Sequence, residues 1–224
     1  AENWPVTEHM KKLSEKYIGK PFEPGRTERM TLQEKDAALS WMANKFFFVQ
    51  PESPTLESIL SIVRQLVLRH GIRGLVIDPW NEIEHSRPEA MSETEYIGSA
   101  LSEIRRFARL HGLHVFVVAH PTKLRKGDDG NYPVPTPYDI SGSANWRNKA
   151  DNCISIWRDL GKTDSRMVDI HIQKIRHKTV GKLGSASLRY DTVCGRYHGA
   201  EPMRAPAMDR KTVSAGEHDY VVFN

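Results

Sequence analysis

The sequence predicts an α/β fold in which a parallel sheet becomes antiparallel toward the C-terminus. Three observations carry that prediction. Two short all-apolar runs, Leu75-Val76-Ile77 and Val115 to Ala119, flank an amphipathic helical stretch, the pattern of parallel strands with helices on the sheet faces. Each run ends in a polar residue, Asp78 and His120, where the carboxyl ends of such strands open onto ligand crevices. Past residue 150, strand-like segments succeed one another with short turns and no long helix between them, which reads as antiparallel pairing.

The elements can be justified in order. Residues 5–18 and 31–44 carry helix formers on either side of the breaker Lys20-Pro21-Phe22-Glu23-Pro24-Gly25. Phe46-Phe47-Phe48-Val49 reads as a short buried strand, and Ser53-Pro54 as an N-cap followed by Pro at the first helical position. Leu56, Ile59, Leu60, Val63, Leu66 and Val67 recur at helical spacing, and Gly71 closes that helix. After the strand ending in Asp78, Ser92 and Glu95 form a capping box. Ile97, Ala100, Leu101, Ile104, Phe107 and Ala108 then share one face up to Gly112. The strand ending at His120 feeds a proline-rich, basic loop over residues 121–138. Residues 152–158, 167–176, 185–190 and 193–198 read as strands, and no internal repeat is visible. One domain is expected over residues 1–198, with 199–224 a tail or small appended element.

Composition narrows the class. With 224 residues, 39% hydrophobic and 27% charged, the chain is long enough for a core and too balanced for a disordered polymer. No apolar run is long enough to span a bilayer. The two cysteines, Cys153 and Cys194, make no disulfide framework, which suits a reducing compartment. A net charge of +4 permits a nucleic-acid partner without demanding one. The start Ala1-Glu2-Asn3-Trp4-Pro5 has no initiator Met, basic n-region or apolar h-region, so an internal fragment is expected rather than a signal peptide.

Several residues carry chemistry. Asp78 at the tip of Gly74-Leu75-Val76-Ile77 has the form of a Walker B carboxylate, able to hold Mg²⁺ through water; a loop cap explains a strand-end Asp equally well. The phosphate-binding pattern Gly-x-x-x-x-Gly-Lys-[Ser/Thr] is absent: Gly161-Lys162-Thr163 has its tail, but Ile156 stands where its first glycine belongs. His120 is placed either to contact a terminal phosphate or to cap its strand. In Val168 to Arg176, a regular strand would put Val168, Ile170, Ile172, Lys174 and Arg176 on one face. Two cations leaving together could reach one phosphate; a solvated strand end is the plain alternative. Lys123, Arg125 and Lys126, with Arg147 and Lys149, could line a path for a phosphate backbone, or serve only as solubilising charge. Zinc at His171 and His177 is poorly supported, since nothing nearby completes a ligand set.

The order of these elements resembles a known family. Strand–Asp78, helix, strand–His120-Pro121, basic loop, Ser141-Gly142-Ser143-Ala144, Ala150-Asp151-Asn152 and Lys174-Ile175-Arg176 together look like the C-terminal ATPase domain of DnaB-type ring helicases. Within it the phage primase-helicase and Twinkle branch, with His at the strand-end sensor, is the most similar. The resemblance implies a RecA-like three-layer core, N-terminally truncated here, working in a ring of six or seven subunits with ATP or another NTP and Mg²⁺ on single-stranded DNA. It implies that Asp78 is the Walker B residue, His120 the γ-phosphate sensor and Arg176 an arginine finger with Lys174 beside it. It also implies that Glu2 orients the attacking water. The phosphate-loop strand and helix would lie upstream, so the chain by itself should be inactive, with apolar sheet surface exposed. A bacterial or phage-infected cytoplasm, or an organelle, would be its setting, with no membrane partner. The competing functional readings are a recombinase or plasmid-replication ATPase on the same fold, and a non-catalytic single-strand-binding or scaffold module.

Overall fold

The computed structural model of the chain describes residues 5–128, 130–159 and 166–199. Two polar helices come first, α1 (Val6–Ile18) and α2 (Leu32–Lys45). Thr31 caps α2 and forms a reciprocal capping box with Glu34, satisfying donors that a helix start leaves open. The two helices bury Leu13, Met30, Ala38 and Met42 and stack Tyr17 on Trp41 at 4.3 Å between ring centroids. Gly19 takes the left-handed conformation (φ 88°) that ends α1. The last carbonyls of α1 are held from far along the chain: Arg196 donates from Nε to Lys16 O and from Nη2 to Tyr17 O, both at 2.6 Å.

Residues 46–49 form no strand, against the expectation for Phe46 to Val49. No described strand lies alongside to pair with them, and the aromatic rings are used for packing instead: Phe46 on Trp41, Phe47 on His70 and Phe48 on His9. The cap of the next helix, α3 (Leu56–His70), is Thr55 rather than Ser53. Ser53 is diverted, its hydroxyl donating to Glu84 Oε2 and its carbonyl accepting from Ser58 Oγ. Thr55 Oγ1 accepts from Ser58 N, so Pro54 lies before the cap and not inside the first turn.

Strand β1 (Gly74–Ile77) pairs in parallel with β2 (His114–Val117), Ile77 opposite Val117. Between them runs α4 (Glu93–His111), opened by the Ser92–Glu95 capping box and closed by Gly112 at φ 63°, as the sequence predicts. Leu75 and Ile77 from β1 pack against Leu56, Leu60 and Val63 of α3 and Ile97, Leu101 and Ile104 of α4. Burial of each such side chain contributes about 1.5–3 kcal/mol. Trp80, Ile83 and Trp146 complete this core. The opposite face of the parallel pair is bare: Val76 is 52% and Phe116 42% exposed.

The short helix α5 (Ser143–Lys149) leads into an antiparallel sheet of β3 (Asn152–Trp157), β4 (Met167–Ile175), β5 (Gly184–Tyr190) and β6 (Tyr197–Gly199), paired in that order. The last strand begins later than the 193–198 expected, because Asp191 draws the preceding segment into a turn. Its backbone N–H donates to Arg196 O, and its carboxylate accepts from Val193 N and Cys194 Sγ. Parallel pairing therefore gives way to antiparallel pairing along the chain, in two separately hydrogen-bonded sheets. The antiparallel sheet also leaves apolar side chains bare, Ile154 and Ile156. Among the described residues no helix is long and apolar enough to cross a membrane.

Candidate functional site

The parallel pair delivers Asp78 and His120 from the same end. Its ladder continues past the strands proper, with Val118 N donating to Ile77 O at 2.9 Å and Trp80 N to Val118 O at 2.7 Å. Asp78 thus leaves β1 between two cross-strand bonds that fix the backbone on either side. His120 comes two residues beyond Val118 and is exposed. Among the described residues no three of His, Cys, Asp and Glu gather as a metal cage. A lone strand-end carboxylate does not make a dedicated metal centre. It does fit Mg²⁺, which keeps most of its waters and is held by one or two carboxylates plus substrate phosphates.

A third group at this end carries no mark in the sequence. Helix α1 brings His9 within electrostatic reach of Asp78. Burial, with Lys12 and Lys16 adding to it, holds the imidazole below its ordinary value, against the opposing pull of Asp78. Its Nδ1 is buried without a hydrogen-bond partner. Only the tertiary course of α1 reveals this neighbour; nothing in local spacing marks it. Glu2 lies outside the described residues.

The basic cluster forms a second centre. The register of β3 on β4 shifts between Cys153 and Ile154: Ile154 faces Ile172, whereas Cys153 faces Lys174. Gln173 is thus an extra residue on β4, a bulge that re-aims the side chains after it. Lys174 and Arg176 still share a face, but not the face of Ile170 and Ile172, which corrects the regular-strand expectation. They turn onto the side of Cys153, where the C-terminus of α5 lies. There Lys174 Nζ donates to the carbonyls of Arg147 and Ala150, and weakly to Asn148 at 3.5 Å. Arg176 donates from Nη2 to Asn148 O at 3.0 Å and Ala150 O at 3.3 Å. Cations suit the unsatisfied carbonyls of a helix end. Burial, with Arg176 next, pushes the Lys174 ammonium below its ordinary value.

The basic loop is pinned along its second half. Thr122 N and Oγ1 both donate to Asp139 O, closing the loop at its base. Pro135 O accepts from Ser155 Oγ and Gln173 Nε2, and Tyr132 O from Trp157 Nε1. Lys123, Arg125 and Lys126 are left exposed on the first half, with Lys126 Nζ 5.3 Å from the Tyr132 ring centroid. Arg147 is not part of that stretch. It sits in the last turn of α5, its guanidinium 5.5 Å from the Tyr138 ring. Tyr132 and Tyr138 are both exposed, so the loop offers two aromatic faces rather than the single one that the sequence suggested.

Comparison with known proteins agrees with this arrangement. No family model matches the sequence. Over 201 residues the chain is 41% identical to the Twinkle homolog protein, chloroplastic/mitochondrial, of Arabidopsis thaliana. The match takes in 86% of this chain and 28% of that protein, so the chain spans only part of its relative. In structure it is similar to the solved ATPase domain of a DnaB-like protein, with a TM-score of 0.72 over 89% of this chain and 72% of that one at 18% identity. The RecA-like fold inferred from element order is thus matched in space, and the helicase resemblance is matched in sequence. The chain belongs to the DnaB/Twinkle-like group of RecA-type helicase domains.

Proposed function

We propose that the chain is the nucleotide-hydrolysing and DNA-gripping part of a replicative helicase motor, coupling NTP hydrolysis between subunits to movement along single-stranded DNA. The observation that carries this reading is the delivery of Asp78 and His120 from one end of a parallel pair, on a fold like that of an ATPase domain. Asp78 would hold Mg²⁺ through water; the metal with its nucleotide supplies charge neutralisation at the phosphates. His120, at the head of the pinned loop, would sense the terminal phosphate and pass its loss to Lys123, Arg125 and Lys126. Arg176 would serve the nucleotide of a neighbouring subunit in a ring of six or seven, where a planar guanidinium stabilises charge on the transferring phosphoryl group. Glu2 would orient the attacking water.

The phosphate-binding loop itself is absent from these 224 residues. It would come from sequence outside them, and residues 1–224 alone would hydrolyse nucleotide negligibly. The test uses the full-length natural protein: single-strand-stimulated NTP hydrolysis, and unwinding of a forked duplex. Arg176→Ala should lower kcat by about 10³–10⁵ with nucleotide affinity nearly unchanged. Hydrolysis without unwinding would favour the recombinase class. Salt-sensitive DNA binding without hydrolysis would favour a binding module.

A further inference from the structure

Arg176 is held more firmly than a solvated strand-end arginine needs to be. Its backbone N–H donates to Asp151 O at 2.8 Å. Its Nε meets Asp151 Oδ1 at 2.7 Å. The same carboxylate oxygen accepts from Arg105 Nη2 at 2.9 Å, and Arg105 comes from the middle of α4. With Nη2 on the α5 carbonyls, two sides of the guanidinium are tied and its Nη1 edge is directed away from them. The Arg176 side chain keeps 30% exposure, so that edge can meet a ligand.

We propose that Asp151 is a positioning residue for Arg176, and that Arg105 holds Asp151 in turn; this inference rests on the reading of Arg176 as the arginine finger. The physical case is one of geometry rather than stability. Asp151 is 46% exposed, and an ion pair so open to water contributes little to folding. What it does supply is direction: Nε on a fixed carboxylate oxygen sets the plane of the guanidinium, and a planar donor works only when its plane matches the phosphate oxygens. Arg105 keeps Asp151 from following Arg176, because the two arginines approach one oxygen from different elements. The α5 helix closes the arrangement: Ser141 Oγ bonds Glu93 Oε1 and Asn145 Nδ2 bonds Thr94 O near its start. Asp151 and Arg105 tie the segment after its end to the same helix α4.

The experiment compares Asp151→Asn, Asp151→Glu, Arg176→Ala and the double variant Asp151→Asn/Arg176→Ala in the full-length protein. It measures kcat and KM for the nucleotide with single-stranded DNA present, alongside thermal stability. Asp151→Asn should lower kcat roughly 10- to 100-fold, the scale of a misplaced catalytic group, with KM within about two-fold and melting temperature nearly unchanged. Asp151→Glu should recover part of the loss. The double variant should be no slower than Arg176→Ala alone, since Asp151 would act only through that arginine. A normal kcat in Asp151→Asn, or losses that multiply in the double variant, overturns the positioning role while leaving the finger in place. Faster hydrolysis in Asp151→Asn overturns it in favour of a restraint on Arg176. Full activity in Arg176→Ala overturns the finger assignment, and this inference with it; no hydrolysis by the unsubstituted protein overturns the motor reading itself.

Discussion

One inserted residue, Gln173, decides where the two cations of the site point. A regular β4 would set Lys174 and Arg176 on the face of Ile170 and Ile172, cross-strand from the bare Ile156 and Ile154. The bulge turns them instead toward Cys153 and the end of α5. The cations themselves were legible in the sequence; their direction was not, because a one-residue register shift leaves no mark on the strand pattern. His9 was illegible for a different reason, since its relation to Asp78 exists only after α1 has folded back. It makes a prediction of its own. The folded chain disfavours the charged imidazole, with burial as the main cause, whereas the unfolded chain takes up the proton near pH 6.5. This group's effect on stability is therefore absent above about pH 6.5, and becomes destabilising as pH falls toward the folded value. Melting temperatures between pH 7.5 and 5.5 should fall less in His9→Gln than in the unsubstituted protein. Equal slopes would mean that the histidine does not titrate across folding. Gly142 sets a second residue-scale limit: at φ 68° a side chain there is strained, and its Cβ would run into Ile97 Cδ1. Gly142→Ala should cost about 1–3 kcal/mol in denaturant unfolding.

Among the elements, α4 bears on most of the site. Its start comes after the segment that leaves Asp78, its buried face fills the core, and Arg105 reaches Asp151. The signals that define it are local, so its sequence was easily read: Ser92 and Glu95 at the start, apolar residues at helical spacing, and Gly112 in the left-handed conformation at the end. Residues 46–55 were read less well because their signals are equally local but are overridden. The aromatic run before α3 has no neighbouring strand among the described residues, and Ser53 bonds Glu84 across 31 residues instead of capping. Ser92→Ala should remove the hydroxyl half of the α4 cap and cost about 0.5–2 kcal/mol. Ile104→Ala, deep in the same helix, should cost about 2–5 kcal/mol. Both are read from urea midpoints of the full-length protein. An Ile104→Ala loss no larger than that of Ser92→Ala would mean that the α3–α4–β1 packing is looser than its burial implies.

At the scale of the molecule, both sheets present an uncovered apolar face. Val76 and Phe116 alternate with the buried Leu75 and Ile77 of β1 and the half-buried Val115 and Val117 of β2. In β3, Ile154 and Ile156 stand 56% and 47% exposed while Cys153 and Trp157 are partly covered. Parallel strands normally bury both faces, so these positions carry the sequence signature of a fully covered sheet without its cover. The element order anticipated this, since the resemblance places a strand and helix outside the chain that a RecA-like core would use here. Bare strands with open edges also invite pairing with other chains. Residues 1–224 expressed alone should therefore bind a hydrophobic dye and self-associate on a sizing column. A longer natural polypeptide that supplies a phosphate-binding strand and helix should do neither. Phe116→Thr and Ile154→Thr together should reduce dye binding by the short chain. In the longer protein, the same pair of changes should lower stability, because there the two side chains would be core. Equal effects in both backgrounds would mean that the faces stay open in the complete protein and are covered, if at all, by another molecule.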